Sequence, residues 1–471
     1  MSKKENSKGL NIVIWFLIAA IAVISVYIAT IVYKYSGIKY IAIFAVFSLI
    51  FIALIIFLKN RKPYISIIIS ILLVIILALV GTLGFRVNNS LSAVKPEKEY
   101  TSVQIVALKE SDYTAESDFS RCNLGYANRE EGLFKKITDI LDENKKIVFK
   151  SVPYESISQV YEMCYNNKVQ LIALTNADKA QLEELYPGFM DNFKVIFEKR
   201  YLLEAVHGKQ VDISKEPFTI YLQGADRTAD GDINSTGSGD VNILFSVNPV
   251  KKLVNMQVIP RDTLIKIDGA GGRSKLTYAG TLGGIQSSIN SIEKEFGIDI
   301  NYYAKINFQG LEGLVDALGG VNVYSYYTFQ SGRFYYQEGY NYVDGDAALE
   351  FARVRKILPG NELARGIHQQ ELIKGILNKF YENPGYDSLM SILNTLSGNF
   401  VSNFPEKDYA KAIQVLIRIM PELQKMEAKS VKGEFIWQTD EVDKVNYLYY
   451  FVPAKGEKER IQKEINAVVE K

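Results

Sequence analysis

Cysteine and histidine are almost missing from this chain of 471 residues, which has two of each: Cys122, Cys164, His207 and His368. So few cysteines exclude a disulfide scaffold and a zinc ribbon. They leave either one bridge, formed in an oxidising compartment, or two buried thiols. Two histidines exclude a multi-histidine metal site. They also leave a serine or cysteine nucleophile short of candidate bases, and no G-x-S-x-G elbow occurs. An excess of either charge is lacking as well. With 54 basic and 53 acidic residues the net charge is +1, which excludes a nucleic-acid protein driven by bulk basicity. No helix-turn-helix, internal repeat or low-complexity tract stands out. The length exceeds one ordinary core, so two or three domains are expected.

Apolarity is concentrated at the start. Leu10–Tyr33, Tyr40–Leu58 and Tyr64–Phe85 are nearly free of charge. As helices, each is long enough to cross a hydrocarbon layer of ~30 Å. The first run is too long for a signal-peptide core. Lys3, Lys4 and Lys8 precede it, and Lys59, Arg61 and Lys62 separate the second run from the third. That bias puts the N-terminus and the second loop inside, and everything after Phe85 outside the cytoplasm. Residues 1–90 thus read as a multi-pass anchor of three transmembrane helices in the cell membrane, carrying extracellular soluble domains.

Beyond a polar linker the pattern becomes mixed α/β. Val103–Ala107, Lys146–Val152 and Leu171–Leu174 read as strands, and Gly132–Asp142, Ile157–Tyr165 and Lys179–Tyr186 as helices. This defines a small α/β accessory domain over residues 100–215. It carries no catalytic constellation, so a spacer, packing or regulatory role is expected. A second α/β domain, residues 217–471, opens with three buried strands, the second and third joined by an Asn248–Pro249 turn. That suggests an antiparallel pair within a mixed sheet. Helices are expected at Leu282–Phe296, Leu311–Leu318, Ala347–Lys356, Leu363–Tyr381, Tyr386–Ser402 and Tyr409–Lys425, giving a helical C-terminal part.

The candidate chemistry lies in this second domain. Asp226 and Asp240 flank a loop of small and acidic residues, D-R-T-A-D-G-D-I-N-S-T-G-S-G-D. Carboxylates so placed suit Mg²⁺, which takes one or two of them plus phosphate and water. The same residues also suit a solvated hairpin loop. Arg261 and Asp262 follow the third strand, where a charged pair serves a cleft or a loop salt bridge. A glycine-rich turn over Gly269–Gly280 contains Arg273 and Lys275 but lacks Walker or dinucleotide spacing. Arg353, Arg355 and Arg365 fall within thirteen residues. Guanidinium groups clustered this way bind phosphate oxygens through paired charge-assisted hydrogen bonds, or form surface salt bridges. Gln369 shares a helix face with Arg365. Arg353 and Arg355 can address one ligand only if their helix ends between them, and Pro359–Gly360 favours a nearby ending. His368 reads as a packing or surface residue. Carboxylates and arginines without a histidine base form a toolkit for metal-assisted phosphoryl transfer.

I-Y-L-Q-G-A-D, G-S-G-D-V-N-I-L, V-I-P-R-D-T, G-L-V-D-A-L-G-G-V-N-V, A-A-L-E-F-A-R-V-R-K and L-A-R-G-I-H-Q-Q occur in that order over Pro217–Phe380. In these motifs the chain resembles the LytR-CpsA-Psr family. Its three spans and accessory domain look like the capsule-locus branch. The resemblance implies an α/β/α sandwich around a mixed sheet, with a polyprenyl pyrophosphate tail in an apolar tunnel and its headgroup at an arginine-lined mouth. It implies an extracytoplasmic phosphotransferase that attaches capsular polysaccharide to peptidoglycan, with Mg²⁺, or Mn²⁺ in its place, as cofactor. Other capsule-assembly membrane proteins are further candidate partners, and nucleic acid is not one. By motif, Asp226 and Asp240 look like metal carboxylates, and these two with Arg261 look like the catalytic group. Arg261, Lys275, Arg353, Arg355, Arg365 and Gln369 look like the headgroup-binding set. One departure concerns Ser238, where many members have arginine; Arg227 or Arg273 would have to supply that charge. A non-enzymatic sensor of lipid-linked precursor and a polyprenyl pyrophosphatase are the alternatives.

Overall fold

The computed structural model describes residues 3–36, 38–92, 98–114, 122–127, 150–204, 206, 208–228, 232–382, 386–442, 444 and 447–470. The chain divides into two compact units, one holding residues 1–94 and 404–417 and the other the rest.

Three helices dominate the first unit: α1 (Lys3–Ser36), α2 (Ile38–Lys59) and α3 (Pro63–Ser92). Within them Gly9–Tyr33, Ile41–Lys59 and Pro63–Ser90 are long and apolar enough to cross a membrane. Helix is the form such runs must take in hydrocarbon, because it satisfies every backbone polar group internally. Polar side chains bond within the bundle: the Ser66 hydroxyl donates to Ile55 O at 3.0 Å and that of Ser70 to Ser66 O at 2.7 Å. Gly84 on α3 faces Ile31 of α1, whose Cδ1 lies 3.2 Å from where a Cβ would sit. Small residues at such crossings let helices approach closely.

In the second unit, β1 (Tyr100–Leu108), β2 (Asn123–Ala127), β3 (Lys150–Tyr154), α4 (Ile157–Tyr165), β4 (Leu171–Thr175), α5 (Asn176–Leu185) and β5 (Phe193–Leu202) come first. Their sheet runs β3-β2-β4-β1-β5, with β2 parallel to both neighbours and β1 antiparallel to both. Apolar side chains alternate across it: Ile105 and Leu171 pack on one face, Val106 and Ile172 on the other. Cys122 belongs to the first cluster and Cys164 to the second, so the sheet separates two buried thiols. The edge strand β5 escapes a sequence reading because its outward side is charged and its apolar positions are only partly covered. The expected helix Gly132–Asp142 and the start of the expected strand at Lys146 lie outside the described residues.

Then follow β6 (Phe218–Thr228), β7 (Gly237–Asn248), β8 (Leu253–Val258), β9 (Leu264–Lys266), β10 (Arg273–Lys275) and α6 (Leu276–Phe296). After them come β11 (Tyr302–Asn307), α7 (Phe308–Ala317), the short strands β12 (Val321–Ser325), β13 (Phe329–Ser331), β14 (Phe334–Tyr336) and β15 (Gly339–Val343), and α8 (Gly345–Arg353). The chain finishes with α9 (Glu362–Glu382), α10 (Tyr386–Leu396), β16 (Phe400–Ser402), α11 (Tyr409–Lys425), β17 (Gly433–Thr439), β18 (Tyr447–Pro453) and α12 (Glu457–Val469). A mixed sheet runs β16-β11-β6-β7-β8, with β11 and β6 parallel and the other pairs antiparallel. Successive residues point to opposite faces. Tyr221, Leu244 and Tyr303 pack under α6 and α12. Their neighbours Leu222, Ile243 and Ala304 face α7 and α9. Helices therefore cover both faces, an α/β/α sandwich.

Two expectations need correction. Tyr386–Ser402 is not one helix, because Gly398 adopts φ +76° and the chain turns into the edge strand β16. The C-terminal part is not wholly helical either. β17 and β18 form a hairpin whose Phe451 N–H donates to Asp262 O at 2.9 Å.

The segment entering the second unit is anchored by a buried pair. Lys305 Nζ on β11 lies 2.9 Å from Glu99 and donates to Ser235 O, with 2% and 12% of the two charged side chains exposed. Glu99 also accepts the Ile285 N–H at 2.7 Å, at a break in α6 where Gly284 takes φ +69°. A Cβ there would sit 2.1 Å from the Glu99 carboxylate, so only glycine fits. Lys305→Ala leaves Glu99 buried and uncompensated. It should cost about 3–5 kcal/mol of unfolding free energy, read as an earlier denaturant midpoint of the detergent-solubilised protein; Glu99→Gln combined with Lys305→Met should recover part of that loss.

Candidate functional site

Between the sheet and the helices α7, α8, α9 and α10 the second unit leaves a cavity of about 460 Å³. Its body is lined by aliphatic and aromatic side chains, among them Leu222, Ile243, Leu314, Ile373, Leu377 and Phe400. Its polar lining includes Asp240, Arg261, Arg353, Arg355, Arg365 and Gln369. Of the eight expected site residues, Lys275 does not line this cavity. The six just named share one cavity. Asp226 lies on β6, but its side chain is outside the described atoms, as is that of Arg227. His207 also lies outside the described residues.

Local structure explains the convergence. Asp240 stands near the start of β7, and Arg261 follows β8, the antiparallel neighbour of β7. Their side chains meet at 2.7 Å between Arg261 Nη1 and Asp240 Oδ1. Helix α8 ends at Arg353, and Val354 turns extended at φ −59°, ψ 133°. The helical rule that would splay Arg353 and Arg355 apart ceases there, so both reach the cavity. Arg353 lies over the Phe308 ring at 4.5 Å. The following turn passes through Gly360 (φ +88°) and Asn361 (φ +48°) into α9, which presents Arg365 and Gln369 one turn apart. Gln369 Nε2 donates to Ala352 O at 3.3 Å, tying α9 to the end of α8.

Arg365 and Glu362 are buried here, Arg261 and Arg355 are partly so, and Arg353 is exposed. Burial works against the Arg261 cation, but Asp240, Asp262 and Glu362 outweigh it and hold its pKa above the ordinary value. Arg365 pairs with buried Glu362, one turn before it. Burial raises the Glu362 pKa, the attraction of Arg365 and Arg261 opposing. Arg261 Nε and Arg365 Nε are shielded from solvent and have no hydrogen-bond acceptor among the described residues. A buried donor left unmatched costs roughly 1–3 kcal/mol, and oxygens of a bound anion would match both. Glu362 is the residue a sequence reading misses; its signal is only the i,i+3 spacing to Arg365.

Lys275 is a structural cation rather than a lining residue of this cavity. It is 3% exposed, lies 3.4 Å from Asp262 and pairs with Glu184 of α5. Arg273 is spoken for too, by Leu264 O and Glu295, so it supplies no charge beside Ser238. Ser238 lines a different, polar cleft. The described residues hold no group of three metal-ligating side chains. Asp240 at an arginine-lined mouth still fits Mg²⁺, which needs as few as one protein carboxylate when phosphate and water complete its shell.

The second unit is thus an α/β/α sandwich holding a cavity with an apolar body and a guanidinium-rich end. A model of the LytR_cpsA_psr family matches residues 193–467, and the chain belongs to that family. Two relatives are named polyisoprenyl-teichoic acid–peptidoglycan teichoic acid transferase TagU. That of Enterococcus faecalis is 32% identical over 43% of this chain and 67% of its own length; that of Halalkalibacterium halodurans is 30% identical over 55% and 82%. Among solved structures, protein gbs0355 of Streptococcus agalactiae is similar at 26% identity, covering 56% of this chain and 92% of its own, with a TM-score of 0.47. Family membership rests on the sequence matches.

His368 is not part of the polar site. It is wholly buried and stacked 4.0 Å from Phe351. Its Nδ1 lies 3.2 Å from Phe351 O, and a carbonyl only accepts, so Nδ1 carries the hydrogen and Nε2 is bare. Burial pushes its pKa down from 6.5 to about 4. Between those values the unfolded chain binds a proton there that the folded chain does not. Stability should therefore fall as pH drops from 6.5 to about 4 and level off below, as far as this group is concerned. Denaturation midpoints across that range should show a shallower pH slope for His368→Phe than for the parent.

Proposed function

We propose that the chain is a membrane-anchored phosphotransferase that moves a glycopolymer from a polyprenyl-pyrophosphate carrier onto peptidoglycan. Its soluble domains would face outside, as the lysine-rich flanks of the first and third apolar helices favour. The observation that carries this reading is the single cavity with an apolar body and a guanidinium-rich end. An isoprenoid chain suits the first and a pyrophosphate the second. Family membership and the transferase names of the two relatives support the same class of reaction. They are named for teichoic acid. Capsular polysaccharide is proposed for this chain from its three apolar helices and the preceding α/β segment.

In this mechanism Arg353, Arg355 and Arg365 neutralise the pyrophosphate, and Gln369 donates to a phosphate oxygen. Mg²⁺ would be held by Asp240 together with Asp226, and when bound it supplies further positive charge to the phosphoryl oxygens. A sugar hydroxyl of peptidoglycan forms a bond to the sugar-proximal phosphorus. The bond from that phosphorus to the bridging oxygen breaks, polyprenyl phosphate leaves, and the hydroxyl proton passes to Asp240. Guanidinium groups held at the cavity end stabilise the charge that develops on the phosphoryl oxygens.

Asp240→Ala and Arg365→Ala, each expressed in cells cleared of redundant paralogues, should shift capsular polysaccharide from the wall fraction to the medium. Immunoblots of both fractions measure this. Unchanged wall attachment would defeat the proposal, and loss of teichoic acid instead of capsule would reassign the glycopolymer. Retained attachment with altered capsule synthesis would favour a sensor.

A further inference from the structure

A second cleft, of about 480 Å³, adjoins the first at the Asp240–Arg261 pair, the only residues that the two linings share. One wall comes from the β7 start and α6, including Ser238 and Thr277. The opposite wall comes from α5 and the turn after it, with Lys179, Ala180, Glu183 and Met190. Its size falls within the range of ligand clefts, roughly 300–1,000 Å³. Its walls mix hydroxyl, carboxylate and ammonium groups with Phe189, Met190 and Tyr278, unlike the aliphatic body of the first cavity. Two carboxylates on its α5 wall, Glu183 and Glu184, disfavour a polyanion. Mixed donors and acceptors beside an apolar thioether suit the hydroxyl edges and carbon faces of sugar rings. Thr277, which lines the cleft, is 4% exposed, and its hydroxyl oxygen has no hydrogen-bond partner among the described residues.

The α5 wall is fixed to the site by charge. Glu184 accepts from Tyr278 and pairs with Lys275, which lies 3.4 Å from Asp262, and Asp262 lies 3.8 Å from Arg261. Burial opposes the Glu184 charge, but Lys275 prevails and holds its pKa below the usual range. Asn176 at the start of α5 donates to Thr236 Oγ1 at 2.7 Å. These contacts hold the first sheet's helix over the site.

We propose that this cleft is a carbohydrate subsite, completed by α5, that receives the acceptor sugar whose hydroxyl attacks. This rests on the proposed transferase function. With the lipid phosphate in the apolar cavity, an in-line nucleophile must arrive from away from the lipid, and the cleft is the space beside Asp240 and Arg261 whose other walls are separate from that cavity. The segment before the mixed sheet is then a substrate-binding element and not a spacer.

Ala180→Trp narrows the cleft from α5, and Leu311→Trp fills the apolar cavity. Saturation-transfer NMR on the full chain in nanodiscs, with an N-acetylglucosamine tetramer and with polyprenyl monophosphate as probes, separates the two sites. Ala180→Trp should weaken tetramer binding at least tenfold and leave polyprenyl phosphate binding intact, which also shows that the variant folds. Leu311→Trp should do the reverse. Tetramer binding that survives Ala180→Trp, or is absent from the parent protein, overturns the inference. Failure of the parent to bind polyprenyl phosphate overturns the transferase reading instead, while the tetramer result stands. A third probe, a sugar-bearing polyprenyl pyrophosphate, tests the source of the sugar. If Ala180→Trp weakens it more than the bare lipid and leaves the tetramer unaffected, the cleft holds the donor glycan, and the acceptor assignment is wrong.

Discussion

The contact between Asp240 and Arg261 stands where two cavities of opposite character meet. Burying a guanidinium is costly unless its charge is matched, and here Asp240, Asp262 and Glu362 match it together. Each of those carboxylates belongs to a further network. Glu362 holds Arg365, and Asp262 leads through Lys275 to Glu184 on α5. The positions of α9 and α5 over the mixed sheet are therefore coupled to one ion pair. Removing either partner would leave uncompensated charge within hydrogen-bonding distance of both cavities.

Protein interiors are ordinarily packed as densely as organic crystals, and the α6–α12 side of the sheet obeys that rule with Tyr221, Leu244 and Phe296 fully covered. The other side does not. Leu222, Ile243 and Phe400 face about 460 Å³ of space that no described side chain fills. Apolar walls without polar partners do not hold water well, so the cavity favours an apolar occupant. Unmatched donors on Arg261 and Arg365 favour an anionic head at its end. Both preferences follow from the walls alone.

Much of this architecture is legible in the chain's patterning. The three membrane-length runs, the strands starting at Phe218 and Val241, and the Asn248–Pro249 turn carry strong local signals, and the helix break after Arg353 is hinted by Pro359–Gly360. β5, β16 and the β17–β18 hairpin are missed because they are edge or short strands, whose apolar positions are stabilised by partners distant in sequence. Lys275 shows the same limit at the site. A lysine in a glycine-rich turn looks like a headgroup ligand. Its real neighbours, Glu184 and Asp262, lie far from it or follow a different strand.

The sequence by itself determined the anchor's form, the strand and helix periodicities and the stock of arginines and carboxylates, because these depend on residue type and near neighbours. Only the tertiary structure decided which charges converge. Antiparallel pairing of β7 with β8 sets Asp240 against Arg261. The extended step at Val354 returns Arg355 to the cavity. The buried bonds of Asn176 and Glu184 bring α5 over the mixed sheet and turn a segment without a recognisable motif into one wall of a polar cleft. Such contacts join residues tens of positions apart, and no local pattern encodes their distance.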